Sequence, residues 1–145
     1  MITLELGART SRFSLDGRAL TDTLPLGAAL LREQWLRHDP PQPQELEAAI
    51  EAVEDVVMPL HRVLPAYAML CVVASAADSA VLAPLAEART RDQLEALFDR
   101  AAAIAQGRPA RSDPALAGAE VMAALVIVRE VMHHLGFTQL QFAPR

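Results

Sequence analysis

The chain has no lysine and no asparagine, one cysteine, one tryptophan and one tyrosine. A single cysteine excludes an internal disulfide. No apolar run reaches the ~18 residues a membrane-spanning helix needs, and no secretory leader pattern opens the sequence, so a cytoplasmic location is expected. Without lysine, all 13 basic residues are arginines, scattered along the chain and outnumbered by 18 acidic ones for a net charge of −5. Nucleic acids and other polyanions call for basic residues gathered on one face, so neither a nucleic-acid nor a membrane partner is expected. The bias toward Ala, Leu and Arg is read as genome composition and assigned no chemistry.

What remains is apolar: 52% of the 145 residues are hydrophobic. The expectation is one domain over residues 1–145, since a chain of this size buries ~68–70% of its unfolded surface and needs no metal or disulfide to fold. The stretch Tyr67 to Ala86 organises it. Met69 to Val73 is an unbroken apolar run with Cys71 inside, and no charge lies between Arg62 and Asp78. Such a run, followed by small residues and helical spacing, predicts a central strand buried on both faces that leads into a helix. Ligands in open α/β sheets sit at the carboxyl ends of such strands, which draws attention to the loop Ala74 to Asp78.

Upstream, Ile2, Leu4 and Leu6 alternate with Thr3 and Glu5, the pattern of a half-buried strand. Thr10 to Leu15 continues as a second strand, Asp16-Gly17 is a hairpin signal, and Arg18 to Leu26 reads as a third. Helical spacing follows from Gly27 to Arg37, stopped by His38-Asp39-Pro40-Pro41. Pro43 opens a longer helix with Leu46, Ala49, Ile50, Val53, Val56 and Val57 on one stripe. Beyond the central strand, Asp78 is expected to cap one helix and Thr90 or Asp92 another ending at Gly107. Asp113-Pro114 is expected to start the longest helix, apolar nearly all round and running to His134. Thr138 to Phe142 forms a last strand. The order is three strands, two helices, a strand, three helices, a strand. It predicts an α/β, RNase H-like fold, a five-stranded mixed sheet with three antiparallel N-terminal strands and helices packed on it.

Four segments carry a more specific likeness: Glu5-Leu6-Gly7-Ala8-Arg9-Thr10-Ser11-Arg12; Leu24-Pro25-Leu26-Gly27-Ala28 with Asp39-Pro40-Pro41 and Glu45-Leu46; Ala74-Ser75-Ala76-Ala77-Asp78 with Leu82-Ala83; and Arg111-Ser112-Asp113 with Ala117-Gly118-Ala119. In order and spacing they resemble the second lobe of the exopolyphosphatase / guanosine pentaphosphate phosphohydrolase (Ppx/GppA) family, within the actin-like ATPase superfamily. There the corresponding segments read D-I-G-G-G-S-T-E, S-L-P-L-G-A then D-P-P, G-T-G-G-T, and R-x-D followed by A-G-A. The resemblance implies two phosphate-facing glycine loops side by side at strand ends. It also implies a separate first lobe that supplies a catalytic glutamate.

The departures set the functional expectation. Only Gly7 keeps its glycine in the first loop, where Ala8 and Arg9 replace the next two; the second loop has alanines at all three glycine positions and ends in Asp78. Glycine there serves positive φ and close approach to an anion, and a carboxylate repels one. The residues of these vestigial loops, Gly7, Arg9, Thr10, Ser11, Arg12, Ser75 and Asp78, are the candidate phosphate site, with Arg9 and Arg12 as a conceivable guanidinium clamp. The expected function is a non-catalytic binding or assembly module with no catalytic residue and no cofactor. The competing reading is a phosphoanhydride hydrolase, active as a homodimer or beside a separate first lobe and then using Mg2+. Because the family it resembles is two-lobed, a homo-oligomer or a protein partner covering the missing-lobe side is expected.

Other chemistry-bearing residues are read as structural. Cys71 sits mid-strand in apolar company. Ser75 has no base within its own segment. His38 and His61 are isolated, and His133-His134 complements a helix dipole but makes a poor metal pair. Glu45, Glu47, Glu51, Glu54 and Asp55 lie around the polar side of an amphipathic helix.

Overall fold

Alternation makes the first strand, and pairing extends it into a sheet. The computed structural model describes residues 1–75 and 78–144. Strands β1 (Ile2–Leu6), β2 (Ser11–Leu15), β3 (Arg18–Ala19), β4 (Met69–Ala74) and β5 (Gln139–Pro144) form one sheet in the order β3-β2-β1-β4-β5. The first three are antiparallel, whereas β4 and β5 run parallel to β1. Register puts Ile2, Leu4 and Leu6 beside Leu70, Val72 and Ala74 on one side and beside Leu15, Phe13 and Ser11 on the other. Apolar side chains therefore share the core face, while Thr3, Glu5, Arg12 and Ser14 share the opposite one.

The helices are α1 (Ala28–Trp35), α2 (Pro43–Val57), the single turn α3 (Ser79–Leu82), α4 (Arg91–Ala105) and α5 (Ala119–Leu135). The hub is α5: Met122 through Val128 are all buried, and it packs against α1, α2, α3 and α4. At ~25 cal/mol per Å2 of apolar surface removed from water, this helix is the largest single hydrophobic contribution the sequence offers. It ends where expected, at Gly136 in the left-handed region with φ 78.

Four expectations are corrected. The third strand is two residues long, not Arg18 to Leu26. The Thr21 hydroxyl takes the Phe13 N–H at 3.2 Å, so the ladder lapses until Leu24 rejoins Ser11 through bonds of 3.0 and 2.7 Å. The long helix starts at Ala119, not after Asp113. Arg100 holds the Asp113 carboxylate through bonds of 2.8 and 2.9 Å, Pro114–Leu116 makes only a 3-10 turn, and Asp39 accepts the Ala119 N–H at 3.0 Å. Asp78 does not cap α3 with its side chain, which is engaged by Ser75. The middle strand is β1, and β4 lies between it and β5. Thr90 does cap α4, accepting from the Gln93 N–H.

Candidate functional site

Parallel pairing of β1 with β4 sets Leu6 beside Ala74, so the chain leaves both strands side by side. The two sequence-predicted loops therefore meet. A cleft of about 350 Å3 is lined by Glu5, Gly7, Thr10, Ser11, Arg12, Thr23 and Ser75, whereas Asp78 lies in a neighbouring crevice with Gly7, Ala8 and Glu120. Gly7 borders both. Ala76 and Ala77, two residues of the second candidate loop, lie outside the described residues.

The first loop is closed upon itself. The Gly7 N–H donates to the Thr10 carbonyl at 3.1 Å, and a Cβ on Gly7 would collide with that same oxygen. The Ser11 N–H donates to the Leu24 carbonyl at 3.0 Å, and its buried hydroxyl donates to the Leu26 carbonyl at 2.6 Å. Gly27, just before α1, lies against the backbone of Ala8 and Arg9, and the Leu30 N–H in the first turn of α1 donates to the Ala8 carbonyl at 3.1 Å. These donors belong to the loop or to the helix beside it, and each has a protein acceptor.

The charged candidates are also engaged. Arg9 points to α1, its Nη1 held by both Glu33 oxygens at 2.9 and 2.8 Å. Arg12 borders the cleft, but its Nε donates to Glu5 at 3.1 Å. Ser75 donates its hydroxyl to the Asp78 carboxylate at 2.6 Å while accepting the Asp78 N–H on its carbonyl at 3.0 Å. The structure thus brings Gly7, Thr10, Ser11, Arg12 and Ser75 to one cleft, places Asp78 beside it, and directs Arg9 away. Cys71 is buried in β4, and burial pushes its thiol pKa up.

A second cluster escaped the sequence reading. Glu54 on α2 meets Glu130 and His134 on α5, with His134 Nε2 at 3.2 Å from Glu130 Oε1 and 3.6 Å from Glu54 Oε1. The Glu130 side chain is 3% exposed, and burial raises its carboxyl pKa against the pull of Arg129, whose Nη1 lies 2.9 Å away. The available signal was a glutamate, Glu130, late in the apolar helix with a histidine four residues on.

A mixed sheet in this order, with antiparallel strands leading and β1 and β4 parallel, is an RNase H-like fold of the actin-like ATPase type. Solved structures that it matches include Ppx/GppA proteins and exopolyphosphatases. One is the Aquifex aeolicus family member, with a TM-score of 0.70 at 15% identity over 99% of this chain and 51% of that one. Another is an exopolyphosphatase from Cytophaga hutchinsonii, with a TM-score of 0.67 at 15% identity over 99% and 52%. An exopolyphosphatase-like protein gives a TM-score of 0.59 at 16% identity over 99% and 54%. The chain therefore spans about half the length of the solved structures it matches. No family model and no curated protein matches the sequence.

Proposed function

We propose that this chain is a non-catalytic binding or assembly module of Ppx/GppA descent, whose first phosphate loop is held by bonds to its own chain. One observation carries the reading. Four donors at and beside the first loop, the Gly7 N–H, the Ser11 N–H and hydroxyl, and the Leu30 N–H, are spent on the Thr10, Leu24, Leu26 and Ala8 carbonyls. A phosphate would have to displace those bonds and approach the Glu5 and Asp78 carboxylates. The module's partner is proposed to be a second copy or another protein, supported by the exposure of Trp35, Met58, Val63 and Tyr67.

The hydrolase reading keeps one observation in its favour: the polar cleft beside Gly7 is open, with Arg12 on its wall. Phosphate release from inorganic polyphosphate and from guanosine pentaphosphate, each with Mg2+, separates the two. The module releases no phosphate above a heat-denatured blank and gives no binding heat with pyrophosphate. Clear turnover overturns the proposal, and a specific rate that climbs with protein concentration would identify a homodimeric enzyme.

A further inference from the structure

We infer that Glu54, Glu130 and His134 form a site for one divalent transition-metal ion, of the zinc type, that staples α2 to α5. The three ligand atoms lie within 4.8 Å of one another. Ligands at ~2.0–2.2 Å around tetrahedral zinc stand ~3.3–3.6 Å apart along each edge. The two edges that meet at His134 Nε2 measure 3.2 and 3.6 Å. The third edge, between the two carboxylates, is no longer than 4.8 Å.

The surroundings are those of a built site rather than a chance meeting of surface acids. The helices α2 and α5 pack directly on each other, so the donors project from a fixed frame. Glu130 is buried, and Arg129 Nη1 holds its Oε2, leaving Oε1 turned toward His134. Arg129 is fixed in turn: its Nε donates to both Glu95 oxygens at 3.1 and 3.0 Å, and its guanidinium lies 4.1 Å over the Phe98 ring. A ligating carboxylate oriented by an outer hydrogen-bonded group is a regular feature of metal sites. Charge also fits. Three carboxyl groups, Glu54, Glu95 and Glu130, face the single guanidinium of Arg129. One imidazole among oxygen donors favours zinc-like ions over Mg2+ or Ca2+, and the partly exposed side of Glu54 and His134 leaves room for water as a fourth ligand.

The competing occupant is a proton shared among Glu54, Glu130 and His134. Chelator-treated protein is titrated with Zn2+ by equilibrium dialysis and with Co2+ by visible spectroscopy. One Zn2+ per chain and an intense four-coordinate Co2+ spectrum are expected. Glu54→Gln and His134→Gln each weaken Zn2+ binding by roughly tenfold or more, whereas His133→Gln, on the exposed neighbour outside the cluster, leaves it unchanged. Glu54 is a third exposed, so its variant tests the site without threatening the fold. Absence of stoichiometric binding, binding indifferent to Glu54→Gln and His134→Gln, or equal loss in His133→Gln overturns the inference and leaves the shared proton as the occupant.

Discussion

Replacing Gly27 by alanine tests whether the first loop is shut by the fold itself. Gly27 has φ −171 and ψ 147, extended backbone that any residue adopts, so space alone decides the outcome. A Cβ there would fall on three backbone atoms, the carbonyl carbon and oxygen of Ala8 and the nitrogen of Arg9. Backbone cannot rotate away as a side chain can, so the loop or α1 must shift. Overpacking of this kind costs about 1–3 kcal/mol. The displaced bond from the Leu30 N–H to the Ala8 carbonyl adds about 0.5–1.5 kcal/mol. The sum is about 1.5–4.5 kcal/mol, which for a chain of this length lowers Tm by about 5–14 °C. Thermal melts by circular dichroism measure it, and hydrogen exchange at the Leu30 amide locates it. Gly118→Ala is the control: it has open space around the new Cβ, and its cost should stay near 1 kcal/mol or below. A Gly27→Ala melt within about 2 °C of the parent, under 1 kcal/mol on the same scale, with Leu30 protection intact, would refute the close-packed loop.

Two further outcomes follow from groups away from the cleft. Glu45 accepts the Gln42 N–H at 2.8 Å and the Arg37 N–H at 2.9 Å, so Glu45→Ala should cost about 1–2 kcal/mol in urea unfolding at neutral pH. Desolvation opposes its charge, but those N–H bonds and His38 outweigh it and hold the carboxyl pKa below the usual range. A depressed carboxylate pKa contributes stability above the unfolded value of about 4.3 and loses it as pH falls through the folded one. The gap between parent and variant should therefore narrow below about pH 4; a gap that widens on acidification would contradict the assignment. The raised thiol pKa of buried Cys71 predicts alkylation by iodoacetamide that is slow in the native protein and fast in urea, and equal rates would place Cys71 at an accessible surface.

Much of this was legible because it is local. Period-two alternation at Ile2, Leu4 and Leu6, the apolar run at Met69 to Val73, and the all-round apolar helix after Gly118 each announce their element within a few residues. Once those strands pair in parallel, the meeting of the Gly7 and Ser75 loops follows. The failures are contacts between residues far apart in sequence. Asp39 caps a helix 80 residues away, and Arg100 takes Asp113 out of capping. Thr21 breaks a strand by competing for a single N–H. Glu54 looked like one more charge on a solvated helix face. Only the packing of α2 on α5 turns it toward Glu130 and His134.

On the proposed reading, substituting glycines in a phosphate loop has two effects, and the second bears on how this loop is held. The added side chain crowds the anion, but the backbone donors that served it must also find new acceptors or stay in water. Here the Gly7 N–H turns to Thr10, the Ser11 hydroxyl to Leu26, and the Leu30 N–H reaches Ala8 across the seam that Gly27 keeps narrow. A loop satisfied by its own chain gains little when an anion arrives. On the proposed reading, phosphate compounds then leave Tm where it was, because a ligand stabilises a fold only through affinity for the native state.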